Sequence, residues 1–161
     1  MILVALGANL PSPAGQPEDT LKSALRRLAG EGITIVRRSG FYRTASWPNP
    51  SDPAYVNAVA AVATGLDPAA LLAVLLQTET AFGRRRSTPN APRPLDLDLL
   101  DYAGRIQEGP PILPHPRMQS RAFVLVPLRD VAPDWRHPVS GIGVSELIGR
   151  LPPGKIEKLP S

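Results

Sequence analysis

The spacing of apolar residues predicts four strands and two helices in the first 102 residues. Apolar side chains that recur every third or fourth position, as Leu21, Leu25 and Leu28 do, are typical of a helix with one buried face. Short apolar or alternating runs are typical of strands. The predicted elements in chain order are a strand at Ile2–Leu6, a helix from Pro17 to the stop at Gly30, a strand at Ile33–Ser39 that Phe41–Thr44 can extend, a strand at Tyr55–Thr64, a helix at Pro68–Phe82 and a strand at Leu95–Tyr102.

This order of elements predicts an α+β fold. Two such split strand–helix–strand halves are typical of a ferredoxin-like βαββαβ sandwich with both helices on one face of the sheet. We expect a single domain over residues 1–161, with its core at 1–104 and a proline-rich C-terminal extension at 105–161. In the extension, a helix is predicted around Gly143–Leu151 and a frayed tail after it.

The composition excludes several classes of protein. The chain has no cysteine among its 161 residues, which rules out a disulfide scaffold, a thiolate zinc site and a cysteine nucleophile. Its longest apolar run, Ala69–Leu76, is far shorter than the roughly 20 residues that a membrane span requires. The segment after Met1 has neither a basic leader nor a small-residue cleavage site. We therefore expect a cytoplasmic protein with no membrane partner.

The positive charge of the chain is concentrated in one region. The formal charge is +4, and seven arginines against four acidic residues lie between positions 84 and 121. Three of these arginines, at 84–86, and Arg93 belong to a loop that leads directly to an acidic strand. The planar guanidinium of arginine suits phosphate oxygens. Since the chain has no Walker-type glycine loop, a phosphate here must be bound by side chains and metal.

The strongest local signal is Asp96 and Asp98, which alternate with Leu95, Leu97 and Leu99. The two-residue period of a strand puts both aspartates on one face, about 7 Å apart along the strand. Two carboxylates at this spacing suit one or two Mg²⁺ ions that arrive with a polyphosphate. The alternative is a solvated acidic face, but aspartate is a poor strand former and arginines flank the pair, so we favour the metal site.

Other polar and aromatic residues have both a structural and a functional interpretation. Glu79 lies on the apolar stripe of its helix, where it either pairs with Arg84 or Arg86 or accepts a hydrogen bond at the mouth of a cleft. His115 lies between two prolines that fix its direction, whereas His137 is predicted at the surface. Further candidates for binding a heterocycle are an aromatic set and one amide, namely Trp47, Tyr55, Phe123 and Asn57.

Two non-enzymatic functions are alternatives to an enzymatic one: RNA binding and regulatory nucleotide binding. An RNA-binding module would explain the basic loop, but RNA recognition requires stacked aromatic residues on the central strands, which here carry Tyr55 and mostly valine and alanine. A regulatory nucleotide-binding domain would keep the same site without turnover. The confined basic cluster favours a phosphorylated small molecule, and we expect no nucleic-acid partner.

Six short motifs appear in the same order as in one family, and together they carry a specific resemblance. They are Gly7–Leu10, Phe41–Thr44, Tyr55–Asn57, Glu79–Arg86, Pro92–Asp98 and Pro114–Phe123. From Leu3 to about Pro133 the chain resembles the 6-hydroxymethyl-7,8-dihydropterin pyrophosphokinases of folate biosynthesis. It departs from the family pattern at Asn90 and Ala91, where an aromatic residue and glycine are usual.

The resemblance implies a reaction and a role for each matched residue. It implies transfer of pyrophosphate from ATP to the pterin hydroxymethyl group with release of AMP, two Mg²⁺ ions on Asp96 and Asp98, and no obligate protein partner. The implied catalytic residues are Arg84, Arg93, Asp96 and Asp98. The implied ATP site consists of Leu72, Glu79, Arg84, Arg86, Arg93, Leu99, His115 and Arg121. The implied pterin site consists of Thr44, Ala45, Trp47, Tyr55, Asn57, Asp96 and Phe123, with Tyr55 and Phe123 on either side of the ring.

Overall fold

The computed structural model describes residues 1–45, 51–83 and 94–160. Its strands and helices are, in chain order, β1 (Ile2–Ala8), α1 (Pro17–Ala29), β2 (Ile33–Arg38), β3 (Tyr42–Thr44), β4 (Tyr55–Thr64), α2 (Pro68–Ala81), β5 (Asp96–Tyr102), α3 (Ala122–Val131), α4 (Val144–Gly149) and β6 (Ile156–Lys158). Within these ranges the strands form one antiparallel sheet in the order β5-β1-β4-β3-β6, and β2 also pairs with β4. The chain is therefore a mixed α/β protein. None of the helices in the described ranges is long and apolar enough to cross a membrane.

Both faces of the sheet are covered by helices. On one face, Val4 and Leu6 of β1 pack with the apolar stripes of α1 and α2. On the other face, Leu3 and Ala5 of β1 pack with α3 and α4. Because β1 is central and covered on both sides, all seven of its residues are buried.

Most predicted elements of the first 102 residues are confirmed with small shifts at their ends. β4 has the predicted bounds, and α2 begins at Pro68 after the Asp67 cap, whose Oδ1 accepts the Ala70 N–H at 2.8 Å. The segment Phe41–Thr44, which the sequence predicts as an extension of the second strand, instead contains a separate strand, β3. β2 ends at Arg38, and the chain turns at Ser39 and Gly40 before it pairs again with the other end of β4.

The sequence pattern failed to predict α3. Val124, Leu125, Leu128 and Val131 have helical spacing and are buried, but Pro127 in the middle of the segment argues against a helix. Burial of this apolar stripe against β4 and the rest of the second core outweighs the one N–H that proline removes.

The tail that was predicted to fray is ordered by strand pairing. β6 pairs with β3, and the Leu159 N–H donates to the Phe41 carbonyl at 2.8 Å. The short helix predicted around Gly143–Leu151 is present as α4.

His137, predicted at the surface, is 7% exposed, so that prediction is wrong. Its Nδ1 accepts the Val139 and Ser140 N–H groups at 3.2 and 3.3 Å, and its ring meets Trp135 edge-on at 5.9 Å between centroids. The ring packs against Trp135 of the second core rather than facing water.

The Asp130 carboxylate fastens α3 to the turn before β3 and to the tail. Its Oδ2 accepts the Tyr42 hydroxyl at 2.7 Å and the Gly40 N–H at 3.3 Å, and it lies 3.3 Å from Lys158 Nζ. Burial of the hydroxyl, together with its hydrogen bond to Asp130, raises the pKa of Tyr42 to about 12.

We expect Asp130→Ala to lower the free energy of unfolding by about 1–3 kcal/mol, because it leaves the buried Tyr42 hydroxyl without this acceptor. Urea denaturation measures this, with the exposed Asp134→Ala as the control. Equal stability of the two variants would contradict the assignment.

Candidate functional site

Two aspartates lie on one face of β5, as the sequence predicts. Leu97 and Leu99 are buried in the core beneath α1 and α2, whereas Asp96 and Asp98 are partly exposed on the opposite face. The alternation follows from the two-residue period of a strand. The predicted separation of the carboxylates from the leucines is therefore confirmed.

Asp96 begins a row of paired residues that crosses the sheet. On β5, Asp96 is paired with Gly7 of β1. Gly7 is paired on its other side with Asn57 of β4, and Asn57 with Tyr42 of β3. Directly paired residues project to the same side of a sheet. The Asp96 carboxylate and the Asn57 amide therefore share a face, and their backbones lie two strand spacings, about 10 Å, apart across the sheet.

Polar and aromatic side chains meet next to Asn57, where β3 and β4 pair. Asn57 Nδ2 donates to Thr44 Oγ1 at 2.9 Å, and Thr44 is paired directly with Tyr55. Asn57 is only 8% exposed, and Tyr55 is half-buried. An asparagine side chain has a second N–H and an acceptor oxygen besides the bond it makes here. This part of the face therefore combines hydrogen-bonding groups with a flat ring, as recognition of a heterocycle requires.

Glu79 is held by the strand that carries the aspartates. Its side chain is 3% exposed, and Oε2 accepts the Leu97 N–H at 2.7 Å. Leu97 lies between Asp96 and Asp98, so this hydrogen bond fixes the backbone of β5 between the two carboxylates. The sequence did not predict this contact. The predicted ion pair with Arg84 or Arg86 involves residues outside the described ranges.

His115 lies beside the aspartates, on the segment between β5 and α3. Its backbone N–H donates to the Leu100 carbonyl at 2.8 Å, and Nδ1 accepts the Arg117 N–H at 3.2 Å. Burial lowers the pKa of His115, and the positive charge of Arg121 acts in the same direction, against the Asp96 carboxylate. The ring is therefore neutral at pH 7, and because Nδ1 is an acceptor its proton is on Nε2. The Nε2–H group is therefore a hydrogen-bond donor.

Arg121 and Phe123 form a cation–π pair at the start of α3. The Arg121 guanidinium carbon lies 5.5 Å from the centroid of the Phe123 ring. Phe123 is half-buried against the second core, so its ring has limited freedom. This pair puts a guanidinium next to an aromatic ring, while the ATP-binding role of Arg121 and the pterin-binding role of Phe123 stay predictions.

The remaining predicted residues fall into two groups. Leu72 is half-buried on α2, and Leu99 is buried in the core between the sheet and that helix, on the face opposite the aspartates. Ala45 is exposed just after β3. Four predicted site residues, Trp47, Arg84, Arg86 and Arg93, lie outside the described residues.

Both histidines are expected to titrate below pH 6.5. Burial lowers the pKa of His115 and of His137 below the ordinary value of 6.5, so the unfolded chain takes up protons that the folded chain resists. The free energy of unfolding should therefore fall as the pH drops below 6.5, by at most about 1.4 kcal/mol per pH unit for each ring. The chain has only two histidines. Proton NMR can follow both rings, and a midpoint at or above 6.5 for either would contradict this prediction.

The sequence matches one family along most of its length. The family described as 7,8-dihydro-6-hydroxymethylpterin-pyrophosphokinase (HPPK) matches residues 3–133. Among curated proteins named 2-amino-4-hydroxy-6-hydroxymethyldihydropteridine pyrophosphokinase, that of Synechocystis is 41% identical over 151 residues, which are 92% of this chain and 75% of the relative. That of Pseudomonas aeruginosa is 40% identical over 160 residues, 99% of this chain and 96% of the relative.

Solved structures show the same fold at low sequence identity. A crystal structure of HPPK-DHPS in complex with substrates has a TM-score of 0.69 at 12% identity and covers 92% of this chain. Plasmodium falciparum HPPK-DHPS with pteroate has a TM-score of 0.68 at 13% identity and also covers 92%. The chain spans 42% of the length of each of these solved chains, so it matches one part of them.

Proposed function

Because the chain belongs to the 7,8-dihydro-6-hydroxymethylpterin-pyrophosphokinase family, we propose that it transfers pyrophosphate from ATP to 6-hydroxymethyl-7,8-dihydropterin in folate biosynthesis. The pterin hydroxyl oxygen bonds to the β-phosphorus, and the bond from that phosphorus to the oxygen bridging it to the α-phosphorus breaks. AMP leaves with the bridging oxygen, and the hydroxyl proton is released. One structural observation supports this reaction above the others: the paired row that puts Asp96 on the same face as Asn57.

Asp96 and Asp98 would hold magnesium in this proposal. Mg²⁺ in such sites takes one or two carboxylates and completes its coordination with substrate phosphates and water. No group of three or more potential metal ligands occurs within the described ranges, which fits an ion that arrives with the nucleotide better than a site built wholly by the protein. When bound, the ion neutralises the charge of the triphosphate and draws electrons from the β-phosphorus.

The phosphate chain would lie along the aspartates toward α3. His115 donates through Nε2–H, and Arg121 offers its guanidinium beside it. The phosphate contacts that the resemblance implies for Arg84 and Arg93, and the place of Arg86 on the ATP side, stay predictions, because these residues lie outside the described ranges. Phosphoryl-type transfer depends on positioning and charge neutralisation rather than on a covalent nucleophile, which suits a site of carboxylates and arginines.

The pterin would lie over the row beside β3. Asn57 and Thr44 would form hydrogen bonds with the edge of the heterocycle, and Tyr55 and Phe123 would stack on its two faces. The hydroxymethyl group then points along the row toward Asp96, where the phosphates lie. The aromatic cover suggested for Trp47 stays a prediction, since that residue is outside the described ranges.

We further infer the ferredoxin-like arrangement that the sequence predicts. The order β5-β1-β4, continued by β2 and β3 on the far edge of β4, supports it. The contacts of α3 with β4 support one domain over residues 1–161, with the extension at 105–161 as its second helical layer. A cytoplasmic location and the lack of an obligate protein partner stay predictions.

The decisive experiment is an AMP-release assay with ATP, Mg²⁺ and 6-hydroxymethyl-7,8-dihydropterin. The matched control substrate is 6-methyl-7,8-dihydropterin, which keeps the ring but has no hydroxyl to accept pyrophosphate. We expect AMP with the first pterin only. Release of AMP at the same rate with both compounds, or Mg²⁺-independent binding of single-stranded RNA in place of nucleotide, would contradict the proposal.

A further inference from the structure

The N-terminal motif, Gly7–Leu10, contains a buried amide that is bonded to a distant part of the chain. Asn9 follows the last residue of β1 and is 2% exposed. Its Nδ2 donates to the Pro53 carbonyl at 3.1 Å, across 44 residues of sequence. Pro53 itself is exposed and lies two residues before Tyr55, the first residue of β4. The amide therefore fixes the backbone that leads into Tyr55.

Gly7, two residues earlier in the same motif, makes room for the same part of the site. A Cβ atom at Gly7 would lie 3.0 Å from Asn57 Oδ1 and 3.8 Å from Tyr55 Cδ1. The first distance is tighter than an ordinary van der Waals contact, so any larger residue would displace the Asn57 amide. Gly7 lies inside a strand and is paired on both sides, which leaves steric clearance as the reason for glycine here.

We propose that Asn9 and Gly7 are positioning residues for pterin recognition. Asn9 holds the segment that sets the place of the Tyr55 ring, and Gly7 lets Asn57 and Tyr55 lie close over β1. Neither residue needs to touch the substrate. The inference rests on the proposed function, because it takes Tyr55 and Asn57 as the residues that bind the pterin.

The direct test is Asn9→Asp, which keeps the size of the side chain but turns an oxygen toward the Pro53 carbonyl. Affinity for 6-hydroxymethyl-7,8-dihydropterin is measured by fluorescence titration in the presence of Mg²⁺ and a non-hydrolysable ATP analogue. We expect the Kd for the pterin to rise roughly 10-fold, as for the loss of one buried hydrogen bond. The Kd for the nucleotide analogue should change less than about twofold, since the Pro53 carbonyl that Asn9 holds leads into β4, whereas Asp96 and Asp98 lie on β5, two strand spacings away.

Gly7→Ala gives a second, independent variant. We again expect a higher Kd for the pterin and a nearly unchanged Kd for the nucleotide analogue. Ser12→Ala is the matched control, because it removes hydrogen bonds of the N-terminal segment without changing the bond to Pro53. The bonds lost are the one between Ser12 Oγ and Thr20 Oγ1 at 2.6 Å and the one that the Ala14 N–H donates to Ser12 Oγ at 3.0 Å. Thermal unfolding of each variant establishes that it is folded.

A double-mutant cycle separates positioning from a general structural effect. If Asn9 acts through the Tyr55 ring, Asn9→Asp should have little further effect on pterin affinity in a Tyr55→Ala background. Unchanged pterin affinity in both Asn9→Asp and Gly7→Ala, equal losses for pterin and nucleotide, or full additivity with Tyr55→Ala would each overturn the inference. Failure of the unsubstituted protein to bind the pterin would instead overturn the proposed function, and the inference with it.

Discussion

Asp98→Ala is expected to slow turnover by roughly 1,000-fold or more while leaving the fold intact. A carboxylate that holds a catalytic magnesium ion supports several kcal/mol of transition-state stabilisation, and about 4 kcal/mol corresponds to a factor of about 1,000 in rate. The side chain is partly exposed and projects away from the leucine core, so its loss leaves no buried cavity. The measurements are kcat in the AMP-release assay and its dependence on Mg²⁺ concentration. Asp98 is preferred to Asp96 for this test, because Asp96 also heads the row that leads to Asn57.

The same strand offers a matched control in Asp101. Asp101 is 4% exposed, with Oδ1 accepting the Gly104 N–H at 3.0 Å and Oδ2 accepting the Trp135 Nε1–H at 2.9 Å. Asp101→Asn should therefore lower the free energy of unfolding by about 1–3 kcal/mol without changing the Mg²⁺ dependence of turnover. Normal activity and normal Mg²⁺ dependence in Asp98→Ala, or the same kinetic defect in Asp101→Asn, would refute the metal assignment.

The sequence predicted the elements whose signals are local. The Asp67-Pro68 cap and the apolar run of β4, which only Asn57 interrupts before Thr64, each indicate their own boundaries, and both elements appear where predicted. α3 was hidden because Pro127 is a strong local argument against a helix, which only the burial of the neighbouring apolar residues overcomes. β6 is three residues long with a single apolar side chain, and it exists because β3 offers an edge more than 100 residues earlier in the chain.

Within the candidate site, too, the sequence could predict the features that depend on local signals but not the contacts between distant segments. The common face of Asp96 and Asp98 follows from the strand period alone, so the sequence could predict it. The contacts that orient the site join distant segments: Glu79 to the Leu97 N–H across 18 residues, and Asn9 to the Pro53 carbonyl across 44. Every residue has a backbone carbonyl, and every residue except proline has a backbone N–H. The residue type at a position therefore does not show whether its backbone bonds to a distant side chain, and no pattern of side chains predicts these contacts.

Asn57→Ala is expected to weaken pterin binding by roughly 50-fold while nucleotide binding is kept. Removal of a buried hydrogen-bonding amide leaves the edge of the heterocycle without its partners, which costs about 2–3 kcal/mol. Asn57 lies beside Thr44 and Tyr55, two strands away from the aspartates, so the Kd for an ATP analogue with Mg²⁺ should change little. Titration calorimetry measures both ligands, and Thr64→Ala, at the other end of β4, is the control. Because Asp98→Ala should impair turnover and leave pterin affinity near normal, the two variants together test whether one face of the sheet holds two separable subsites. Equal loss of both ligands in Asn57→Ala would contradict that division and indicate a general loosening of the sheet.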